Sequence, residues 1–170
     1  VYSTKDTPFT ECENIIFTGT NYGEHGEMSY CVKDGACYEV NKDGTLTLIH
    51  MGKNTPSSSI PTDKVVYACA YSMEYRTEPH VVIPANVVFN GDRIFNNSVG
   101  QSVTLNNLLS NGNCSYLFAK TKYKGNYTFA PGETIIPTRC FADVSDMTSF
   151  VVPEGIRRIS TGSFYPANAL

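Results

Sequence analysis

The residues that dominate this sequence are those that favour extended backbone. Valine and isoleucine together number 24, threonine 17, tyrosine 11 and phenylalanine 9, whereas leucine and alanine together number 16 and glutamine occurs once. β-Branched and aromatic side chains fit a pleated sheet, and the strong helix formers are scarce. The sequence therefore predicts an all-β protein, and its 41% hydrophobic residues are enough for a packed core.

The cysteines indicate an oxidising compartment. Their number is even, they are widely spaced, and no two form a Cys-x-x-Cys pair, a combination typical of disulfide-bonded extracellular domains. We expect three disulfides among the six cysteines, which are Cys12, Cys31, Cys37, Cys69, Cys114 and Cys140. Six cysteines allow fifteen connectivities. The alternative is a cytosolic β protein with buried free thiols.

One local disulfide follows from a hairpin interpretation of residues 31–37. If residues 33–35 form a three-residue loop with Gly35 in the left-handed conformation, Cys31 lies opposite Cys37. Facing β-carbons are then about 4.5–5.5 Å apart, and a modest closure permits a disulfide. The alternative is that each of these cysteines pairs elsewhere.

N-glycosylation sequons cluster in one part of the chain. They begin at Asn96, Asn113 and Asn126, all within residues 96–128. A chain this rich in asparagine, serine and threonine produces sequons by chance, so the argument rests on their clustering. We expect glycans here, with Asn126 the best occupied, and hence an extracellular, cell-surface or virion-surface location.

Turn signals divide the sequence into candidate hairpins. Residues 41–44, Asn90-Gly91 and Lys124-Gly125 each separate two apolar or alternating segments, which predicts antiparallel strands joined by tight turns. The longest apolar stretch, residues 64–75, is predicted to be a central strand whose polar end emerges into solvent. We detect no internal repeat.

A short segment resembles a known family. Residues 63–69 have the pattern D-x-x-x-Y-x-C, which is similar to the tyrosine-corner strand of immunoglobulin domains. The resemblance implies that Cys12 is the partner of Cys69 on an opposite sheet. The match covers seven residues, and the core tryptophan of such domains is absent because the chain has none.

Together these features predict an antiparallel, disulfide-stabilised β-sandwich, either jelly-roll-like or immunoglobulin-like. We expect a single β-rich extracellular domain over residues 1–170, with a long loop near residues 54–63 that is poor in apolar residues.

Charge and motifs narrow the function classes. With a net charge of −3 the chain is not a basic nucleic-acid binder, and it has no apolar run long enough to insert into a membrane. Only three histidines occur, and the sequence contains none of the common nucleophile, phosphate-binding or zinc-protease motifs. We therefore expect neither catalytic residues nor a metal or cofactor.

The remaining hypothesis is recognition of a partner at a surface. We predict a non-enzymatic glycoprotein domain that binds an extracellular protein or receptor, as a module of a cell-surface, secreted or viral surface protein. The alternatives are a self-assembling coat subunit and a small secreted hydrolase, and the oligomeric state stays open. Aromatic and arginine side chains anchor many interfaces, so the candidate partner-binding residues are Tyr71, Tyr75 and Arg76.

Overall fold

The computed structural model describes residues 22–25 and 28–166 of the chain, and almost all of its regular structure is β-strand. Its strands are β1 Tyr22–His25, β2 Met28–Lys33, β3 Ala36–Val40, β4 Leu46–Met51, β5 Val66–Ala68, β6 His80–Ile83, β7 Val87–Phe89, β8 Val99–Leu105, β9 Lys122–Thr128, β10 Ile135–Ile136 and β11 Arg158–Ile159. Two single 3₁₀ turns, at Ser57–Ser59 and Leu109–Asn111, are the helical elements of this part of the chain.

The first four strands form an antiparallel meander. β1 to β4 pair in sequence order, and short turns join β2 to β3 and β3 to β4. The predicted hairpin at residues 41–44 is confirmed: Asn41 N–H donates to the carbonyl of Thr45, and Gly44 N–H donates to that of Asn41, both at 2.9 Å. Gly44 has a φ of 83°, a conformation that glycine adopts without strain.

The β2–β3 turn is shorter than the sequence predicts. Lys33 pairs directly with Ala36, so Asp34 and Gly35 form a two-residue turn in which both φ angles are positive, 49° and 84°. This is the geometry of the type I′ turns that best match strand twist.

The consequence is that Cys31 lies opposite Tyr38 and Cys37 opposite Val32. Side chains alternate between the two faces of a strand, so the two cysteines point to opposite faces of the hairpin. Both are free, and the predicted Cys31–Cys37 disulfide is wrong.

From β4 onwards the chain winds into a β-solenoid of about five turns. β4, β5 and β7 pair in parallel on one side, β6, β8 and β9 pair in parallel on another, and β10 pairs in parallel with β11. Each strand pairs with the equivalent strand of the next coil, as when Ser102 lies opposite Asn126. The meander continues one of these sheets, which has the order β1-β2-β3-β4-β5-β7.

The coils repeat every 22–23 residues at corners where the backbone is left-handed. One corner carries Tyr71, Arg93, Tyr116, Arg139 and Gly162, with φ between 50° and 62°. A second corner, four residues later in each coil, carries Tyr75, Asn97, Lys120 and Asp143, with φ of 56–57°. Between the two corners, backbone hydrogen bonds connect each coil to the next, for example from Met73 N–H to the carbonyl of Ile94 at 3.0 Å.

A column of phenylalanines fills the interior between these corners. Phe95, Phe118, Phe141 and Phe164 are 23 residues apart, and successive rings stack with centroid distances of 5.1, 5.5 and 5.3 Å. Four successive coils each contribute one ring, and the first coil has the buried Met73 at the equivalent position, so the core is continuous along the solenoid axis.

This architecture corrects the predicted sandwich. The strands of the coils are parallel rather than antiparallel, and the chain has a structural repeat that we did not detect in the sequence. Asn90-Gly91 does not close a hairpin: the chain continues into the next corner, and β7 pairs in parallel with β5. Lys124-Gly125 lies inside the unbroken strand β9.

The predicted strand at residues 64–75 is also wrong. It forms only the three-residue β5 and then turns at Tyr71 and Tyr75. The segment that resembles a tyrosine-corner strand ends in this parallel strand, and Cys69 is free.

Candidate functional site

The outward surface of the β6-β8-β9 sheet presents two rows of side chains. Alternation along each strand places buried residues inside and these residues outside, because neighbouring residues of a strand point to opposite faces. We call eight residues of this surface the outer face. The first row contains His80, Ser102 and Asn126 and the second contains Val82, Thr104 and Thr128, each residue lying opposite the next. Ser149 and Val151, which line one groove together with members of both rows, complete the eight residues.

The outer face contains no aspartate, glutamate, lysine or arginine, and four of its eight residues carry hydroxyl groups: Ser102, Thr104, Thr128 and Ser149. Thr104 and Thr128 lie directly opposite each other on β8 and β9, and Ser102 lies opposite both His80 and Asn126. Neighbouring parallel strands are about 4.8 Å apart, so neighbouring residues within a row are separated by about that distance. Asn126 Nδ2 donates to the carbonyl of Gln101 at 3.2 Å, which orients the amide within its row.

A groove of about 350 Å³ opens on the outer face between β9 and residues 149–151. The hydrogen bonds of β9 run to β8, and residues 148–152 have no regular strand structure. The side chains of Phe150 and Tyr127 contact each other beneath the groove, with their ring centroids 6.5 Å apart. The groove therefore has an aromatic floor and walls of hydroxyl and amide groups.

Two strongly exposed apolar side chains belong to the outer face: Val82, on the edge strand β6, is 46% exposed, and Val151, beside β9, is 86% exposed. Val152, the next residue in the chain, is 47% exposed, and Val99, at the start of β8, is 38% exposed. Most large apolar residues of a folded domain are buried, and a group of exposed ones marks a surface that a partner can cover. Elsewhere in the described residues, comparable exposure occurs singly, at Val65, Ile159 and Tyr165.

The outer face also contains a histidine–serine pair. His80 Nδ1 and Ser102 Oγ are 2.9 Å apart, which is a hydrogen-bonding distance. A catalytic pair of this kind is usually oriented by a carboxylate on the second ring nitrogen of the histidine. In the part of the chain that the structure describes, no carboxylate hydrogen-bonds to His80. The hydrolase alternative would have to rest on this pair.

Arg76, one of the candidate partner-binding residues, lies in the interior. Its side chain is 1% exposed, and its Nη2 atom is 3.0 Å from Oε2 of Glu78. Nη1 donates to the carbonyl of Gly52 at 2.9 Å, and Nη2 also donates to the carbonyl of Thr55. Glu78 in turn accepts hydrogen bonds from the N–H and hydroxyl of Ser57. Burial lowers the pKa of Arg76, and the neighbouring Glu78 opposes that effect.

The pair formed by Arg76 and Glu78 holds the 52–57 segment against the first coil. The segment predicted as a long loop near residues 54–63 therefore contains a fixed 3₁₀ turn at Ser57–Ser59. Tyr71 and Tyr75 lie at the two left-handed corners of the first coil and are half-buried. The prediction that the polar end of this segment, residues 72–78, emerges into solvent is wrong for most of its length, because Ser72, Met73 and Glu74 are buried with Arg76.

The cysteines do not form the predicted disulfide framework. Cys31, Cys37, Cys69, Cys114 and Cys140 are all free, and Cys12 lies outside the described residues. Burial raises the pKa of the Cys69 and Cys114 thiols to about 12, and it also raises the pKa of the Cys140 thiol well above its ordinary value. Cys140 fits the core because a thiol behaves as a small apolar group.

The three sequons differ in their surroundings. Asn113 and Asn126 are exposed, whereas Asn96 is 6% exposed in the corner of the second coil. A glycan needs an exposed amide nitrogen, so glycosylation stays a prediction for Asn113 and Asn126 and is disfavoured at Asn96. A glycan on Asn126 would stand on the outer face and keep a protein partner away from it, so glycosylation of Asn126 and protein binding at the outer face are alternatives.

The sequence signal that would have revealed the coils, and with them the outer face, is the spacing of 22–23 residues between equivalent positions. The phenylalanines at 95, 118, 141 and 164 carry it in the sequence, but the short turn signals between them suggest hairpins of a sandwich instead.

In the described part of the chain no helix is long and apolar enough to cross a membrane. In comparisons with protein-family models, with curated proteins and with solved structures, nothing matches this chain.

Proposed function

We propose that the chain is a non-enzymatic binding module whose outer face recognises an extracellular protein. The observation that carries the proposal is a sheet face without acidic or basic side chains other than His80, in which hydroxyl groups on β8 and β9 lie between the exposed Val82 on β6 and the exposed Val151 beside β9. Interface centres combine apolar area with hydrogen-bonding groups and contain few charges. Stacked coils also hold the rows rigidly, so little conformational entropy is lost when a partner binds.

The test compares apolar residues of similar exposure in different places. Val82→Asp and Val151→Asp put a charge on the outer face, while Val65→Asp and Ile159→Asp put the same charge elsewhere, at residues that are 39% and 50% exposed. Each variant is screened by surface plasmon resonance against a panel of purified extracellular domains. Circular dichroism checks that all four variants fold.

We expect the two outer-face variants to weaken binding by at least about thirtyfold, the effect of removing a central interface residue. The two control variants should change affinity by less than about threefold. Equal losses in both sets, or no partner in the panel that binds the unmodified chain, would contradict the proposal. Ester turnover that disappears in Ser102→Ala would favour the hydrolase alternative in its place.

A further inference from the structure

The first left-handed corner of the solenoid forms a column of tyrosine and arginine. Tyr71, Arg93, Tyr116 and Arg139 occupy the same place in four successive coils, and Gly162 occupies it in the fifth. Backbone hydrogen bonds of 3.1–3.2 Å connect each corner to the next coil, including Arg93 N–H to Ser115 and Tyr116 N–H to Thr138. The side chains therefore project from the same edge, roughly one strand spacing apart.

Two guanidinium groups contact a single ring in this column. Arg93 Cζ lies 4.3 Å from the centroid of the Tyr116 ring, and Arg139 Cζ lies 5.4 Å from it. Arg139 Nη1 also donates to the Tyr116 hydroxyl at 2.6 Å. Because arginine carries a planar charge that stacks on aromatic faces, the ring orients both guanidinium groups.

Gly162 keeps the end of the column open for Arg139. A methyl group on Gly162 would lie 3.3 Å from Arg139 Cγ, so the arginine stem runs across the glycine backbone. Gly162 also has a φ of 62°, which disfavours other residues there. Arg139 is exposed, and Arg93 and Tyr116 are half-buried, so the guanidinium groups can be reached from solvent.

The charges of these arginines are not neutralised within the described part of the chain. Neither Arg93 nor Arg139 lies within 4.0 Å of a carboxylate there, in contrast to Arg76 with its partner Glu78. The neighbouring Asp92 is engaged with Ser115, accepting from its N–H at 3.1 Å and its hydroxyl at 2.6 Å. Two oriented cations thus stand on a protein whose net charge is −3.

We infer that Arg93, Tyr116 and Arg139 form a binding site for a tetrahedral oxyanion, a sulfate or phosphate group. A guanidinium has five N–H donors arranged as a fork, and it recognises such oxyanions through paired hydrogen bonds. Arg139 uses one donor on Tyr116, and its others are free for the anion. The site lies at a corner and not on the outer face, so it stands independently of the proposed function.

Calorimetric titration tests the inference with three probes: inorganic sulfate, inorganic phosphate and a disaccharide carrying sulfate esters, with the unsulfated disaccharide as the blank. Arg93→Gln and Arg139→Gln remove one guanidinium each. Arg157→Gln and Arg158→Gln are matched controls, because both residues are exposed and lie outside the column. Arg93→Lys keeps the charge but loses the fork.

We expect at least one anionic probe to bind and each column Gln variant to weaken it at least about tenfold, as loss of a charged hydrogen bond requires. Arg93→Lys should also weaken binding, whereas the control variants should change it by less than about twofold. Binding of inorganic anions alone would identify a free anion as the ligand, and tighter binding of the sulfated disaccharide would identify an ester. Equal weakening by the controls, or no binding of any probe at about 10 mM, would overturn the inference.

Discussion

The meander of β1–β4 and the coils that follow it are made of similar residues but find their strand partners in different ways. In the meander, Lys33 pairs with Ala36, three positions away, whereas in the coils Ser102 pairs with Asn126. The meander is therefore determined by its turns, and the coils by contacts between segments 20–24 residues apart. The same turn residues, glycine and asparagine, therefore close a hairpin in the meander but lead into a corner in the coils.

The core of the coils should be sensitive to the loss of a single ring from the phenylalanine column, and an exposed ring outside the column should not matter. Phe118 stacks on both Phe95 and Phe141, so its replacement breaks the continuous column. We expect Phe118→Ala to reduce the free energy of unfolding by about 3–5 kcal/mol, measured by urea denaturation. Tyr165→Ala, at a residue that is 70% exposed, should change it by less than about 0.5 kcal/mol. Similar losses for both variants would mean that the column does not form.

Strand β4, which belongs to both the meander and the coils, contains a histidine that should make the free energy of unfolding depend on pH. His50 lies in β4, and burial, followed by the charge of Arg76, lowers its pKa to about 4. The unfolded chain therefore takes up this proton first, and stability is lost as the pH falls from about 6.5 towards 4. The total loss is about 3 kcal/mol.

His50→Gln removes the titrating group and is the control for that pH dependence. Unfolding free energies of both proteins, measured by urea denaturation from pH 7 to pH 4, should converge as the pH falls. Parallel profiles would show that His50 is protonated equally in the folded and unfolded chains.

Two glycines allow the clearest comparison of the regions. Gly44 has space around it and needs glycine only for its φ of 83°, whereas a methyl group on Gly112 would lie 2.0 Å from the carbonyl oxygen of Phe89 in the preceding coil. We expect Gly112→Ala to cost about 3 kcal/mol, because the coils must separate, and Gly44→Ala to cost about 1 kcal/mol. Thermal unfolding measures both, and the reverse order would contradict the stacking of coils.

The smallest expected effect is that of a reductant. The five described cysteines are free, so dithiothreitol should change the free energy of unfolding by less than about 0.5 kcal/mol. A disulfide in a domain of this kind contributes about 2–4 kcal/mol. A loss of that size on reduction would restore the disulfide framework that the cysteine spacing predicts.

The sequence predicted the all-β secondary structure and the local hairpin at residues 41–44, because both depend on neighbouring residues. It did not predict the coils, since their pairing depends on residues 20–24 positions apart, and Asn90-Gly91 has the same local pattern in a coil corner as in a hairpin. Nor did it predict the burial of Arg76, because the carbonyls of Gly52 and Thr55 that it binds come from a distant segment.

The parallel pairing of the coils is tested most directly by nuclear Overhauser effects between backbone protons in solution. The solenoid predicts contacts between strands β8 and β9 in parallel register, with Val103 opposite Tyr127 and Thr104 opposite Thr128. An antiparallel sandwich instead predicts contacts across Asn90-Gly91 and across Lys124-Gly125. Parallel contacts between β8 and β9 would establish the stacked coils, and antiparallel contacts across either dipeptide would contradict them.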